Sequence, residues 1–244
     1  MKKKRIIIPS VIIIIGLIFW SILKINTYKP DSRALEALKS DTEIEVKIDK
    51  YITFTPKNKS LDTGFIFYPG GLVEPESYAP ICRKISEAGY KVVIVPMPLN
   101  LAILGENKAD AVIKQNSEIK NWVIGGHSLG GVMAASYSFK HGEAVKGLAL
   151  YAAYPQEKHD MSKANIEVVS IYGSKDQVAD IEKVKAAKEI LPDNTEFISI
   201  DGGNHSQFGD YGFQKGDGNS TISYEMQQSI ASEYTIKLIK AYSK

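Results

Sequence analysis

The chain has 244 residues, of which 44% are apolar and 24% charged, proportions that exclude a disordered chain, a collagen-like chain and a polytopic membrane protein. Lys2, Lys3, Lys4 and Arg5 supply +4 of a net charge of +2, so the rest of the chain carries −2; the basic character belongs to the N-terminal tip, and no nucleic-acid partner is expected. Cys82 is the one cysteine, which excludes an intrachain disulfide framework and a cysteine-rich zinc site.

The basic tip leads into Ile6–Leu23, which carries no charge and is mostly isoleucine. As a helix it would span about 27 Å, close to the hydrocarbon thickness of a bilayer. The run is long for a signal-peptide core, and no A-x-A-like cleavage site follows in Lys24–Pro30. The expectation is one transmembrane helix acting as an uncleaved signal anchor, with a cleaved, secreted form as the alternative. The positive-inside rule then puts residues 1–5 in the cytoplasm and the rest of the chain outside it, in a cell-membrane protein with one pass. Residues 1–29 read as anchor and tether, and residues 30–244 as one domain.

Pro30-Asp31-Ser32 starts a short helix. Glu43–Asp49 and Tyr51–Thr55 alternate apolar and polar residues around Asp49-Lys50 and read as a hairpin. Beyond Pro56, short β-branched apolar runs alternate with helical stretches. The runs are Phe65–Tyr68, Val92–Val95, Trp122–Ile124, Leu148–Tyr151, Val168–Tyr172 and Phe197–Ile200. Continuous apolar runs are strands covered on both faces. Helices are expected at Ser77–Ala88, Asn107–Gln115, Leu129–His141, Asp180–Ile190 and Ser223–Ala241. The fold class is therefore α/β, a mostly parallel central sheet flanked by helices. Only Tyr154–Asn165 lies between the fourth and fifth of these runs, so no large lid domain is expected and the site should be fairly open.

The run Trp122–Ile124 passes into Gly125-Gly126-His127-Ser128-Leu129-Gly130-Gly131 and then a helical pattern. This is G-x-S-x-G in the strand–turn–helix setting that gives the motif meaning. Ser128 at the apex of a tight turn would present its Oγ above the strand ends, at a helix N-terminus that stabilises negative charge. A nucleophilic serine needs a base and an orienting carboxylate. Of the four histidines, His205 alone follows a predicted strand, at the sheet edge of Ser128; His127 adjoins the nucleophile and its ring should point away from the serine, His141 ends the helix after the turn, and His159 lies in a polar loop. Asp176 follows the strand Val168–Tyr172 and gives the order Ser, Asp, His; Asp201 and Asp210 are its rivals. The oxyanion donors expected are the N–H of Leu129 and that of Gly71, in Pro69-Gly70-Gly71-Leu72.

The marks Gly126-His127-Ser128-Leu129-Gly130, Gly173-Ser174-Lys175-Asp176 and Gly203-Asn204-His205 resemble the α/β-hydrolase superfamily. The compact layout and the segment 203–212 resemble its dienelactone-hydrolase-like branch, with serine where those enzymes use cysteine. The long glycine-rich loop Gly202–Ser220 carries Phe208 and Tyr211, expected with Leu72 to form an apolar wall against the substrate. Its acidic residues fit no EF-hand spacing, so no metal is expected, and the chemistry requires no cofactor. The reading is a membrane-anchored serine hydrolase acting on a small acyl substrate (an ester, thioester or lactone). The alternatives are a non-catalytic binding or scaffold protein on the same fold, an acyltransferase and a peptidase.

Overall fold

In the computed structural model, residues 16–18, 20–58 and 62–243 are described. The sheet has eight strands: β1 (Ile44–Ile48), β2 (Ile52–Pro56), β3 (Thr63–Tyr68), β4 (Lys91–Ile94), β5 (Asn121–His127), β6 (Gly147–Tyr151), β7 (Glu167–Gly173) and β8 (Glu196–Ile200). Their spatial order is β1-β2-β4-β3-β5-β6-β7-β8. The β1–β2 hairpin, with Ile48 opposite Ile52, joins β4 antiparallel. From β4 to β8 every neighbour runs parallel. From residue 30 onward each expected strand and helix is present, with ends shifted by a few residues.

Among the described residues from Ser32 onward, six α-helices accompany the sheet: α1 (Ser32–Ala37), α2 (Ala79–Glu87), α3 (Lys108–Gln115), α4 (Leu129–Lys140), α5 (Ile181–Ala186) and α6 (Tyr224–Lys240). Alternation along β3 explains the two layers. Phe65 and Phe67 pack with Ile81, Cys82 and Ile85 of α2 and Ala231 and Ile239 of α6. Ile66 and Tyr68 face the other way, against Ala109 and Val112 of α3 and Met133, Ala134 and Tyr137 of α4. A strand buried on both faces has no polar side to show, which is why its sequence reads as an unbroken apolar run. Side-chain caps fix the helix starts. Asp31 accepts from the N–H groups of Arg33 and Ala34 at α1, Asp180 from Lys183 at α5, and Ser223 from Met226 at α6.

At the N-terminus, residues 20–25 are helical. Asn26 and Thr27 close this helix by donating to the carbonyls of Ile22, Leu23 and Lys24. Among the described residues no helix is long and apolar enough to cross a membrane; residues 6–15 and 19 of the apolar run lie outside them. The chain after this helix is not a free tether. Tyr28 bridges to Val73, donating its N–H to Leu72 O (2.8 Å) and accepting from Glu74 N–H (3.0 Å).

Candidate active site

Parallel strands β3 to β8 all end at one edge, and the loops there carry every expected site residue. Strain collects at the same edge. Among the described residues, the non-glycine positions with left-handed backbone are Leu72 after β3, Leu99 and Asn100 after β4, Ser128 after β5 and Ala152 after β6. Such conformations persist only where the surroundings hold them, and they concentrate at functional sites.

Ser128 has φ 52° and ψ −125°. Its N–H donates to Tyr151 O (2.9 Å), and its carbonyl accepts from Val132 N–H (3.0 Å) in the first turn of α4. The turn is this sharp because α4 leaves β5 almost in contact with β3. A Cβ on Gly130 would lie 2.1 Å from Tyr68 O and 2.4 Å from Pro69 O, and one on Gly126 would lie 2.6 Å from Tyr68 O. Ser128 is half-buried and occupies the N-cap of α4.

His205 follows β8, and its Nδ1 lies 2.8 Å from Asp176 Oδ2. The other carboxylate oxygen, Oδ1, accepts from Val178 and Ala179 N–H, both at 2.8 Å. With both oxygens engaged, the carboxylate has one orientation. A proton on Nδ1 is held by Asp176, which leaves Nε2 as the basic nitrogen. That Nε2 is buried and has no hydrogen-bond partner among the described residues. The rival acids stand elsewhere: Asp201 is exposed and accepts only from Ser174 Oγ (3.3 Å), and Asp210 is paired with Arg33 at 2.6 Å. Burial raises the Asp210 carboxyl above the usual range, against the opposing influence of Arg33 and Gln228.

Gly71 lies between two committed amides. Gly70 N–H donates to Tyr78 Oη (3.0 Å) and Leu72 N–H to Asn100 O (2.8 Å). A Cβ on Gly71 would touch Leu129 Cδ2 at 3.1 Å, so the residues expected to supply the two oxyanion donors are neighbours. Leu129 opens α4, where an N–H has no partner within the helix.

Two expectations are corrected. Phe208 is fully buried, its ring 5.4 Å from Tyr151 and 5.5 Å from His127. Tyr211 is buried against Tyr28 and Tyr78. Both belong to the core beneath the site and do not wall a pocket, because the short 3₁₀ turn Ser206–Phe208 folds the loop inward against α6. Leu72, half-buried, remains at the rim. His205 is 1% exposed and the Asp176 side chain 0%.

Several contributors escape a reading of the sequence. The His127 ring packs 4.4 Å from that of His205. Its Nδ1 meets Tyr78 Oη at 2.9 Å. Tyr78 Oη also accepts from Gly70 N–H, so it links the glycine loop to His127. Burial, and then the neighbouring His205, push the His127 imidazole well below its usual range, so the ring is neutral. Asp217 is the other omission. Its Oδ1 accepts from His205 N–H (3.2 Å) and Gly218 N–H (2.8 Å), and its Oδ2 from Ser206 N–H and Oγ–H (both 2.8 Å). Only the flanking Gly216 and Gly218 marked the place, as a turn.

No group of three or more His, Cys, Asp or Glu is placed to hold a metal ion among the described residues. A search of curated protein sequences finds no match. Solved structures do match. A predicted CIB-like hydrolase from Thermoplasma acidophilum is 17% identical, with a TM-score of 0.62 over 80% of this chain and 99% of that one. Est1E from Butyrivibrio proteoclasticus, with ferulic acid bound, is 13% identical, with a TM-score of 0.61 over 80% and 98%. A thermostable esterase from Pseudomonas putida is 16% identical, with a TM-score of 0.57 over 85% and 88%. Residues 64–229 match the model of the alpha/beta hydrolase family, which takes in the strained serine, the Asp–His pair and the glycine loop alike: the chain belongs to the alpha/beta hydrolase family.

Proposed function

We propose that the protein is a serine hydrolase of carboxylic esters, held to a membrane by its N-terminal apolar segment with the catalytic domain outside the cytoplasm. The observation that carries the hydrolase reading is the Asp176–His205 pair, its Nε2 buried and unpartnered, at the sheet edge where Ser128 stands in a strained turn. Esterases among the similar folds favour esters over other acyl compounds.

In this reading Ser128 Oγ attacks the carbonyl carbon and His205 Nε2 takes the hydroxyl proton. Asp176 stabilises the imidazolium that forms and keeps the ring in place. The amides of Gly71 and Leu129 receive the developing oxyanion, assisted by the N-terminal end of α4. His205 returns the proton to the departing alkoxide, leaving an acyl-enzyme on Ser128. Water, deprotonated by the same nitrogen, releases the acid.

Labelling by a fluorophosphonate probe and turnover of p-nitrophenyl esters test the reading. Ser128→Ala is expected to abolish labelling and most turnover while the protein stays folded, since only Oγ is removed. Unchanged turnover in the purified variant rejects Ser128 as nucleophile. The anchoring is tested separately, by fractionation and by protease added to intact cells. A mature chain beginning within residues 24–30 would show cleavage and reject the anchor.

A further inference from the structure

The N-terminal segment reaches the domain at the candidate site itself. The uncharged run ends at Leu23, and Tyr28 is hydrogen-bonded to Leu72, next to Gly71. Fully extended, the intervening chain could span no more than about 18 Å, and it is shorter than that because it is helical through residue 25. Trp20 and Lys24 close the run, with Lys24 Nζ 4.9 Å from the Trp20 ring. An aromatic and a cation at the end of an apolar segment are the pairing that settles at the headgroup level. A bilayer holding that segment therefore lies against the oxyanion loop.

The rim facing it is apolar. Leu99, Ile103 and Leu104 follow β4, Val178 follows β7 and Phe213 follows β8, and all five are exposed, Ile103 by 61%. The other large exposed apolar side chains beyond Tyr28 are scattered: Leu35 on α1, Ile48 on β1, Phe139 on α4 and Met226 on α6. Leu72 joins the two groups. Its carbonyl accepts from Tyr28, and its N–H donates to Asn100 beside Leu99. On the opposite flank Tyr28 Oη accepts from Lys215 N–H (3.1 Å), two residues from Phe213. Lys29 and Lys215, both exposed, flank this junction and suit phosphate headgroups.

We propose that this rim rests on the bilayer that holds the N-terminal segment, and that the substrates are amphiphilic acyl esters drawn from that leaflet. The inference rests on the hydrolase reading and on the anchor, and it adds the substrate class and the docking surface. Burying these side chains in the interface brings the lipid acyl region to the loops that carry Leu72 and Leu99, without any domain-sized lid.

The test uses the full-length protein in phosphatidylcholine vesicles with two substrates: a fluorogenic diacylglycerol ester in the bilayer, and a water-soluble p-nitrophenyl butyrate. The double variant Ile103→Asp/Phe213→Asp is expected to lose more than about tenfold in the vesicle rate, because two apolar contacts with lipid are replaced by charges. Its soluble-ester rate should stay within about twofold, since both positions are exposed and outside the Asp–His–Ser arrangement. A flexible spacer of about 20 residues between Asn26 and Thr27, long enough to release the rim from the surface, is expected to act the same way. Vesicle rates unchanged in both variants overturn the proposal, as does a wild type that turns over the soluble ester and leaves the bilayer ester intact. Failure of the hydrolase reading looks different: no probe labelling and no turnover of either ester, or soluble turnover that survives Ser128→Ala.

Discussion

Replacing Asp217 with asparagine probes how the base is held. Asp217 gathers the backbone that carries Asp176 and His205, through five donors from Gln177, His205, Ser206 and Gly218. Asparagine keeps one acceptor oxygen and puts an NH2 group where the second oxygen was. If the oxygen stays with His205 and Gly218, the NH2 meets the Ser206 N–H, and two donors face each other in a buried site. The Ser206 hydroxyl can rotate away, but the amide cannot. A hydrogen bond to a charged group contributes about 1.5–3 kcal/mol, and a buried donor left unpaired costs about 1–3 kcal/mol. One lost bond and one stranded amide overlap in part, so the expected destabilisation is about 2–4 kcal/mol. In catalysis, a misplacement of about 1 Å costs on the order of a hundredfold, so kcat on a soluble ester should fall between about tenfold and a hundredfold. Urea unfolding followed by fluorescence gives the first number, and p-nitrophenyl ester kinetics give the second. The distinguishing mark is that probe labelling by Ser128 should slow in step with kcat while KM changes little. A variant within about 0.5 kcal/mol of wild-type stability and with an unchanged kcat, the range of an ordinary surface substitution, would refute the reasoning.

Asp176→Asn is expected to lose on the order of 10³–10⁴ in kcat, because the amide favours the wrong tautomer, whereas Asp201→Asn, at an exposed position with one long contact, should lose little; the reverse ranking in ester kinetics would overturn the acid assignment. Gly130→Ala should be destabilised by more than about 3 kcal/mol, since its Cβ would overlap the Tyr68 and Pro69 carbonyls, while Gly212→Ala, in open space but at φ +79°, should lose only about 1 kcal/mol; thermal unfolding compares the two. For His127, the folded state keeps the ring neutral and the unfolded state protonates it near 6.5, the ordinary value for an imidazole. The folded protein thus binds fewer protons, so this contribution is fully present above pH 6.5 and is lost as pH falls below it, by up to about 1.4 kcal/mol per pH unit. His127→Phe should flatten that slope in urea midpoints measured between about pH 5 and pH 6.5, and an equally steep slope in the variant would assign it to other groups.

Periodicity made the sheet legible. Phe65–Tyr68 and Leu148–Tyr151 read as doubly buried strands and are so. The limits are instructive where they failed. The apolar run at Trp122 stops at Ile124, yet β5 continues to His127. Gly125 and Gly126 are strand residues whose missing side chains leave room for Ala149 and Gly130, and hydropathy does not register a residue chosen for its absence of volume. The placing of Ser128, Asp176 and His205 at one edge was legible because each follows a strand of known direction, and parallel strands share an edge. Phe208 and Tyr211 were misplaced because an aromatic in a glycine-rich loop carries no mark of which way it faces. Tyr78, Asp217 and the Tyr28–Arg33 segment act through contacts between distant parts of the chain, and nothing in their local spacing announces a partner.

The segment Tyr28–Arg33 also sets an order of events. Arg33 reaches Asp210 and Gln228, 177 and 195 residues away, and Tyr28 Oη receives Lys215 N–H from 187 residues away. These are among the most non-local contacts in the molecule, and such contacts form late because the loop-closure entropy comes first. A chain that emerges from its N-terminus, at about 5–20 residues per second, has the glycine loop after β3 early but must wait for α6 before Asp210 and Gln228 can clasp Arg33. The edge that carries Ser128, Asp176 and His205 is consequently the last part of the domain to be completed during biosynthesis.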